Sequence, residues 1–231
     1  MGDLNVFQKI LGLKFKDISL LRCALSHSSY INELSSNVGL SNERLEFLGD
    51  TVLGLVITER IYKDYPTNTE GSLTRMRSSI VRSETLVQVA QSIKLSDFLL
   101  LGKGEAKSGG STKKANLAGA MEAVIGAIYL DSGLDCARHF IERNFAEHIK
   151  LAKRTAIIID SKTRLQEYMQ SLSKGIPQYY TVAEQGPDHQ KHFIVEVAVD
   201  GIVLERGEGF NKKEAEEKAA EKYLQSIDKQ N

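Results

Sequence analysis

The apolar pattern of this chain changes period once, and that change fixes what it can fold into. Up to about residue 150 the apolar residues recur at helical spacing. His192 to Val199 instead alternates, with Phe193, Val195, Val197 and Val199 on one face of a strand. Tyr179 to Glu184 and Val203 to Phe210 read as two further strands, and Asp200-Gly201 supplies the chemistry of a tight hairpin turn. Ser161 to about Leu172 precedes them as a helix with Leu165, Tyr168, Met169 and Leu172 on one side. Asn211 caps a last helix running to about Ile227. The expected architecture is an all-α domain over 1–150, a linker over 151–160, and a small α+β domain of order α-β-β-β-α over 161–228. Ala156 to Ile159 is unusually apolar for a linker and has no assigned role.

Within the first part, Asp17 opens a short amphipathic helix through Leu25. Ser41 precedes a long helix that runs to about Tyr62 and closes at Tyr65-Pro66. The pattern predicts one helix from about Glu70 to Ala90 and a polar, Gly- and Lys-rich loop over 102–114. A helix from Ala115 to Leu130 is expected to stop at Gly133, followed by another over Leu134 to Ile149. The 102–114 loop lacks the Gly-Lys-Ser/Thr ending of a nucleotide-binding loop.

Hydrophobic residues make up 42% and charged residues 26%, which is globular composition; Lys+Arg and Asp+Glu are both 30, so overall charge announces no nucleic-acid partner. No apolar run approaches the ~18 residues of a membrane span, and the N-terminus lacks the pattern of a secretory signal. Cys23 and Cys136 provide neither a disulfide framework nor zinc spacing. The expectation is a soluble cytoplasmic protein with no membrane partner.

The long helix carries the densest chemistry. Glu43, Glu46 and Asp50 fall within about a 60° arc of it. Leu45, Leu48, Val52, Leu55 and Val56 form the opposite, core-facing stripe. Phe47, Leu53, Gly54 and Ile57 share the carboxylates' half, so that half is expected to be covered by other helices or by a second subunit. Glu46 and Asp50 repel each other at i,i+4, and no Lys lies in the segment to offset them. Covered carboxylates without basic partners need a cation, and a carboxylate-only set suits Mg²⁺ or Mn²⁺. An acidic helix start favoured by the dipole explains Glu43 as well, but not Asp50 two turns further on; both readings stand on the pattern alone. Glu122 lies among Ala115, Ala118, Gly119 and Gly126, small residues that let another helix approach closely. His27 reads as a hydrogen-bonded residue at a helix end.

Asn42 to Asp50, Asn-Glu-Arg-Leu-Glu-Phe-Leu-Gly-Asp, resembles the signature of the ribonuclease III family. Ala24 to Ser29, Glu70-Gly71, Glu122 to Asp131 and the C-terminal module extend the resemblance over nearly the whole chain. It implies a homodimeric, Mg²⁺-dependent endonuclease that cuts double-stranded RNA to 5′-phosphate and 3′-hydroxyl ends, processing ribosomal precursors and other structured RNAs. It implies no small-molecule cofactor beyond the metal. By motif, Glu46 and Glu122 are metal ligands, Asp50 is an essential acid near the metal, Glu43 is a secondary carboxylate, and Phe47 plugs into the partner subunit. One departure stands out: Gly119 occupies the position where the family carries an aspartate that shares Glu122's face. Three readings follow: a weakened natural enzyme, a silent RNA-binding protein, or a deliberately altered chain. An α-helical dimerisation module with merely structural acids is a third functional class, opposed by the C-terminal module.

That module resembles a double-stranded-RNA-binding domain, although residues 161–231 carry 10 Lys and Arg against 12 Asp and Glu. Duplex RNA is read by shape across two minor grooves and the phosphates between them. The resemblance places Thr163, Gln166 and Glu167 at one minor groove and the Gly186 to His189 turn at the other. Lys212 and Lys213 fall at the phosphates, where a helix N-terminus also favours anions. Lys113 and Lys114 are further candidates for phosphate contact.

Overall fold

The computed structural model describes residues 3–34, 40–187 and 191–228, with the backbone alone at 153–160 and 228. The chain divides into two compact units, Met1–Ala152 and Lys153–Asn231.

The first unit is helical throughout: α1 (Leu4–Leu11), α2 (Ile18–Ala24), α3 (Ser28–Glu33), α4 (Glu43–Asp64), α5 (Glu70–Val81), α6 (Ser83–Ser92), α7 (Lys103–Lys107) and α8 (Lys114–Asn144). Side-chain caps start four of these helices, α3 through His27 and three more through an oxygen. Asp3 accepts the Asn5 N–H, Asp17 accepts that of Ser19, and Thr69 accepts that of Ser72. Asp131, near the middle of α8, accepts the backbone N–H groups of Lys16 and Asp17 at 3.2 and 2.8 Å, which pins the start of α2 to the central helix.

Four expectations need correction. The helix expected over residues 70–90 is two, broken at Arg82, whose extended backbone (φ −67°, ψ 155°) turns the chain; Thr85 Oγ1 secures the corner by donating to the Ser79 carbonyl at 3.2 Å. The 102–114 segment is not a bare loop but holds α7 and a 3-10 turn at Gly110–Thr112. Glu105 gathers it, accepting from Lys113 at 2.9 Å and from Asn116 at 2.8 Å. Gly133 parts α8 into two helical runs as expected, at φ 83° and ψ 178°, but the second run ends at Asn144 and not at Ile149. The 151–160 linker is helical in backbone, lying inside α9 (Ala146–Ser171).

Along α4 the buried arc is wider than the predicted stripe. Leu45, Val52 and Val56 are buried, but so are Leu53 and Ile57 from the carboxylate half, while Leu55 is exposed. The first unit's own helices therefore cover the far end of the acidic side. Among the described helices α8 alone is long and apolar enough by composition to cross a membrane, and most of that stretch is buried.

The second unit has the expected order. The later part of α9 precedes an antiparallel sheet β1-β2-β3 (Gln178–Gln185, His192–Val199, Ile202–Gly209), and α10 (Lys212–Asp228) follows. Asp200 and Gly201 both take positive φ, 52° and 79°, as a two-residue hairpin between right-twisted strands requires. Val197 and Val199 pack with Leu165 and Met169 of α9 and Ala219 and Ala220 of α10. A Cβ at Gly207 would overlap the Ala215 carbonyl, so the bare strand lets α10 lie directly on β3. Asn211 Oδ1 accepts the Glu214 N–H at 2.9 Å and Glu214 returns a carboxylate to the Phe210 N–H at 2.9 Å, closing the cap of α10 from both sides.

Candidate active site

Helices α4 and α8 touch where neither carries a side chain. A Cβ at Gly49 would overlap the Glu122 carbonyl, and one at Gly126 would overlap the Leu45 carbonyl and lie 3.2 Å from the Gly49 nitrogen. This backbone contact sets Glu46 and Asp50, which flank Gly49 on α4, level with Glu122 on α8. The small residues noted around Glu122 thus have a geometric purpose.

Glu122 feels two acids of α4. Glu122 is half-buried, and its carboxyl is pushed up to about 7 by burial first and then by the charges of Asp50 and Glu46. Burial also raises Glu46, reinforced by Glu43 and opposed by His27. Among the described residues no salt bridge reaches Glu46, Asp50 or Glu122. Glu43 is exposed and accepts the Ser41 hydroxyl at 2.9 Å.

Gly119 lies beneath Glu46. A Cβ there would stand 2.8 Å from Glu46 Cδ, so the Glu46 head occupies space that a side chain at 119 would claim. A polar cleft of about 230 Å³ opens beside it, lined by His27, Asn42, Glu43, Glu46, Asn116 and Gly119. Among the described residues no three His, Cys, Asp or Glu side chains close on one point as a ready-made cage. The donors nevertheless suit a hard divalent cation in kind, being carboxylates from two helices that repel one another and lack a basic partner. The shortfall lies where the sequence reading expects one more acid, at Gly119.

The remaining candidates fall in several places. His27 sits at a helix end as expected, its Nδ1 accepting the Ser29 N–H at 3.2 Å to cap α3. Phe47 is 79% exposed at the rim of an apolar groove of about 650 Å³ lined by Leu20, Cys23, Leu45, Leu48 and Leu130. Lys113 is engaged by Glu105. In the second unit Thr163, Gln166 and Glu167 are exposed on α9, away from buried Leu165 and Met169, and Lys212 and Lys213 are exposed in the first turn of α10. His189 lies outside the described residues. One functional position escapes the sequence reading: Gly49, whose bare backbone completes the crossing that Gly126, one of the small residues around Glu122, makes from the α8 side. A glycine one turn from an acid on each of two apolar helices was the available signal.

Comparison with known proteins closes the question of family. Residues 17–149 match the family described as ribonuclease-III-like, and residues 161–227 match the double-stranded RNA binding motif. The chain belongs to the ribonuclease III family. Ribonuclease 3 of Dehalococcoides mccartyi is 47% identical over 228 residues, covering 99% of this chain and 96% of that protein. Ribonuclease 3 of Borreliella afzelii is 45% identical over 227 residues, covering 98% and 92%. A solved nuclease domain of ribonuclease III from Campylobacter jejuni, described for structural flexibility in a region involved in dimer formation, is 36% identical. It covers 63% of this chain and 98% of its own, with a TM-score of 0.59. This ribonuclease III-type endoribonuclease therefore couples an α-helical nuclease domain to a double-stranded-RNA-binding domain.

Proposed function

We propose that this ribonuclease III uses Mg²⁺, replaceable by Mn²⁺, to cut duplex RNA as a homodimer, leaving 5′-phosphate and 3′-hydroxyl ends. Its substrates are structured RNAs such as ribosomal precursors, and its setting is the cytoplasm. The reading rests on one observation: the Gly49–Gly126 crossing sets Glu46, Asp50 and Glu122 together, and among the described residues no salt bridge neutralises them. Glu46 and Glu122 would hold the cation, with Asp50 close by. When bound, the cation would acidify water enough to make it a usable nucleophile near neutral pH and would offset charge on the phosphate and the departing 3′ oxygen. Burial and the neighbouring acids raise Glu122's affinity for a proton, so positive charge arriving at the site would favour its ionised form. Glu43, exposed at the start of α4, faces the approaching RNA. Thr163, Gln166 and Glu167 and the 186–189 turn meet the two minor grooves, and Lys212 and Lys213 meet the phosphates between them.

A second reading is favoured by Gly119: a chain that binds duplex RNA and no longer cuts it. Long duplex RNA incubated across a Mg²⁺ titration, with Asp50→Asn as control, separates the two. Cleavage by the unaltered chain that Asp50→Asn loses supports the enzyme; RNA binding without cleavage at any Mg²⁺ concentration supports the second reading.

The homodimer rests on Phe47, an aromatic ring left 79% exposed beside an apolar groove that it does not fill. In the dimer, each Phe47 seats in the groove of the other protomer. Burying both rings contributes about 3–6 kcal/mol. Phe47→Asp is therefore expected to sediment as a monomer at concentrations where the unaltered chain is a dimer, with its melting temperature little changed. A Phe47→Asp dimer of undiminished affinity places the interface elsewhere.

A further inference from the structure

Lys212 opens α10, yet it does not present its charge freely. Its Nζ lies 2.9 Å from Glu184 Oε1, and the ammonium sits 5.7 Å from the centre of the Phe193 ring. Glu184 is the penultimate residue of β1, immediately before the turn assigned to a minor groove. The two side chains are 57% and 41% exposed, so their pair is screened and can be broken. Lys162 is held similarly, by Glu216 at 2.6 Å and over the Tyr179 ring at 4.1 Å, but those two side chains are less exposed, at 35% and 27%. Lys218 is paired with Glu214 at 2.8 Å, but Glu214 also closes the α10 cap through the Phe210 N–H. Glu184 takes no part in that cap; its carboxylate bonds to Lys212, which holds it below the ordinary carboxylate range.

We propose that Glu184 is an affinity-setting residue for RNA: its carboxylate occupies Lys212 in the free protein, and a phosphate must displace it to bind there. The proposal rests on the reading of Lys212 as a phosphate contact. It gives the module's excess of acids a use, since the sequence-independent electrostatic part of RNA binding is held down and shape contacts count for more. It also has an ionic signature. A lysine that exchanges one carboxylate for another anion leaves Glu184 to be neutralised by solution cations, so binding releases fewer ions than a bare lysine would.

The test measures affinity of the full chain, in EDTA, for an RNA duplex longer than the ~16 base pairs one such domain spans. The variants are Glu184→Gln, Lys212→Ala and the double variant, compared between about 50 and 200 mM salt. Glu184→Gln is expected to bind about two- to fivefold tighter at the low end, the range an exposed ion pair accounts for. Its log–log salt slope should steepen by up to about one, and its advantage should fade at the high end. In the Lys212→Ala background the same change should have no effect. If Lys212→Ala leaves affinity unchanged, Lys212 is not a phosphate contact and both readings fail. If Lys212→Ala weakens binding but Glu184→Gln does not tighten it, the proposal alone fails; outright weakening would mean that the pair is a clamp presenting the neighbouring turn. Equal tightening with and without Lys212 would reduce Glu184 to one more repelling charge and overturn the pairwise role.

Discussion

Glu122→Gln should slow duplex cleavage by orders of magnitude and, in the absence of cation, make the protein more stable above neutral pH. The two effects share a cause. Glu122 is held half-buried opposite Asp50 and Glu46, and its carboxyl keeps a proton up to about 7, against the ordinary value of 4.5. The folded chain therefore binds more protons than the unfolded chain between those values. The contribution to stability is full below about pH 4.5 and is lost as pH rises through 7. Glutamine keeps the shape and removes the charge that appears above that point. Because Glu122 is only partly buried and solvent screens its neighbours, the gain at pH 8 is about 1–2 kcal/mol, less than the shift alone would convert to. Urea unfolding in EDTA at pH 5 and pH 8 reads it directly: the variant should lead at pH 8 and lose most of that lead at pH 5. Cleavage should fall by about 10²–10³-fold, the scale on which single charge-stabilising groups act. A variant less stable at pH 8 would mean that the carboxylate has a favourable partner there, and the case for a cation site would go with it.

The sequence made the site legible because its logic is helical. Three acids in one arc of α4, and one acid among small residues on α8, need only the 100° step to be seen, and the structure sets three of them, Glu46, Asp50 and Glu122, around one crossing. Gly49 escaped notice because a glycine inside a helix is ordinarily a weakness. Its value emerges only when the Glu122 carbonyl is found where its Cβ would be. Leu55 and Leu53 exchanged roles for a related reason: a helix packed on several neighbours is not buried along a single stripe, and no periodicity names the neighbours. Arg82 breaks a helix that local pattern would continue, with the corner held by Thr85 reaching Ser79, six residues back. The strands were easier, because Asp200-Gly201 and the alternation of β2 carry their geometry locally. The Lys212–Glu184 pair joins residues 28 positions apart across a folded module, and no spacing rule reaches that far.

Gly119→Asp is the change expected to move cation dependence most. Its Cβ must enter space now held by the Glu46 carboxylate, but that is the far end of a flexible side chain and can rotate aside. Without cation the new acid joins Glu46, Asp50 and Glu122 with no base among them, and like charges at this distance oppose folding. With Mg²⁺ the same crowding becomes a fuller ligand set. The expected outcome is a lower melting temperature in EDTA and a larger rise on adding Mg²⁺ than the unaltered chain shows. Half-maximal cleavage should move to a Mg²⁺ concentration about 10–100-fold lower, the range over which single groups around bound metals tune affinity. Gly119→Ala separates sterics from charge. It also displaces Glu46, and it adds helix propensity of ~1 kcal/mol, so it should melt higher in EDTA without gaining any response to Mg²⁺. Cleavage by Gly119→Asp where the unaltered chain only binds RNA would establish the second reading of its function. If neither the melting temperature nor cleavage of any variant responds to divalent cation, the crossing of α4 and α8 is not an ion site, and Glu122 is a buried acid with a structural role alone.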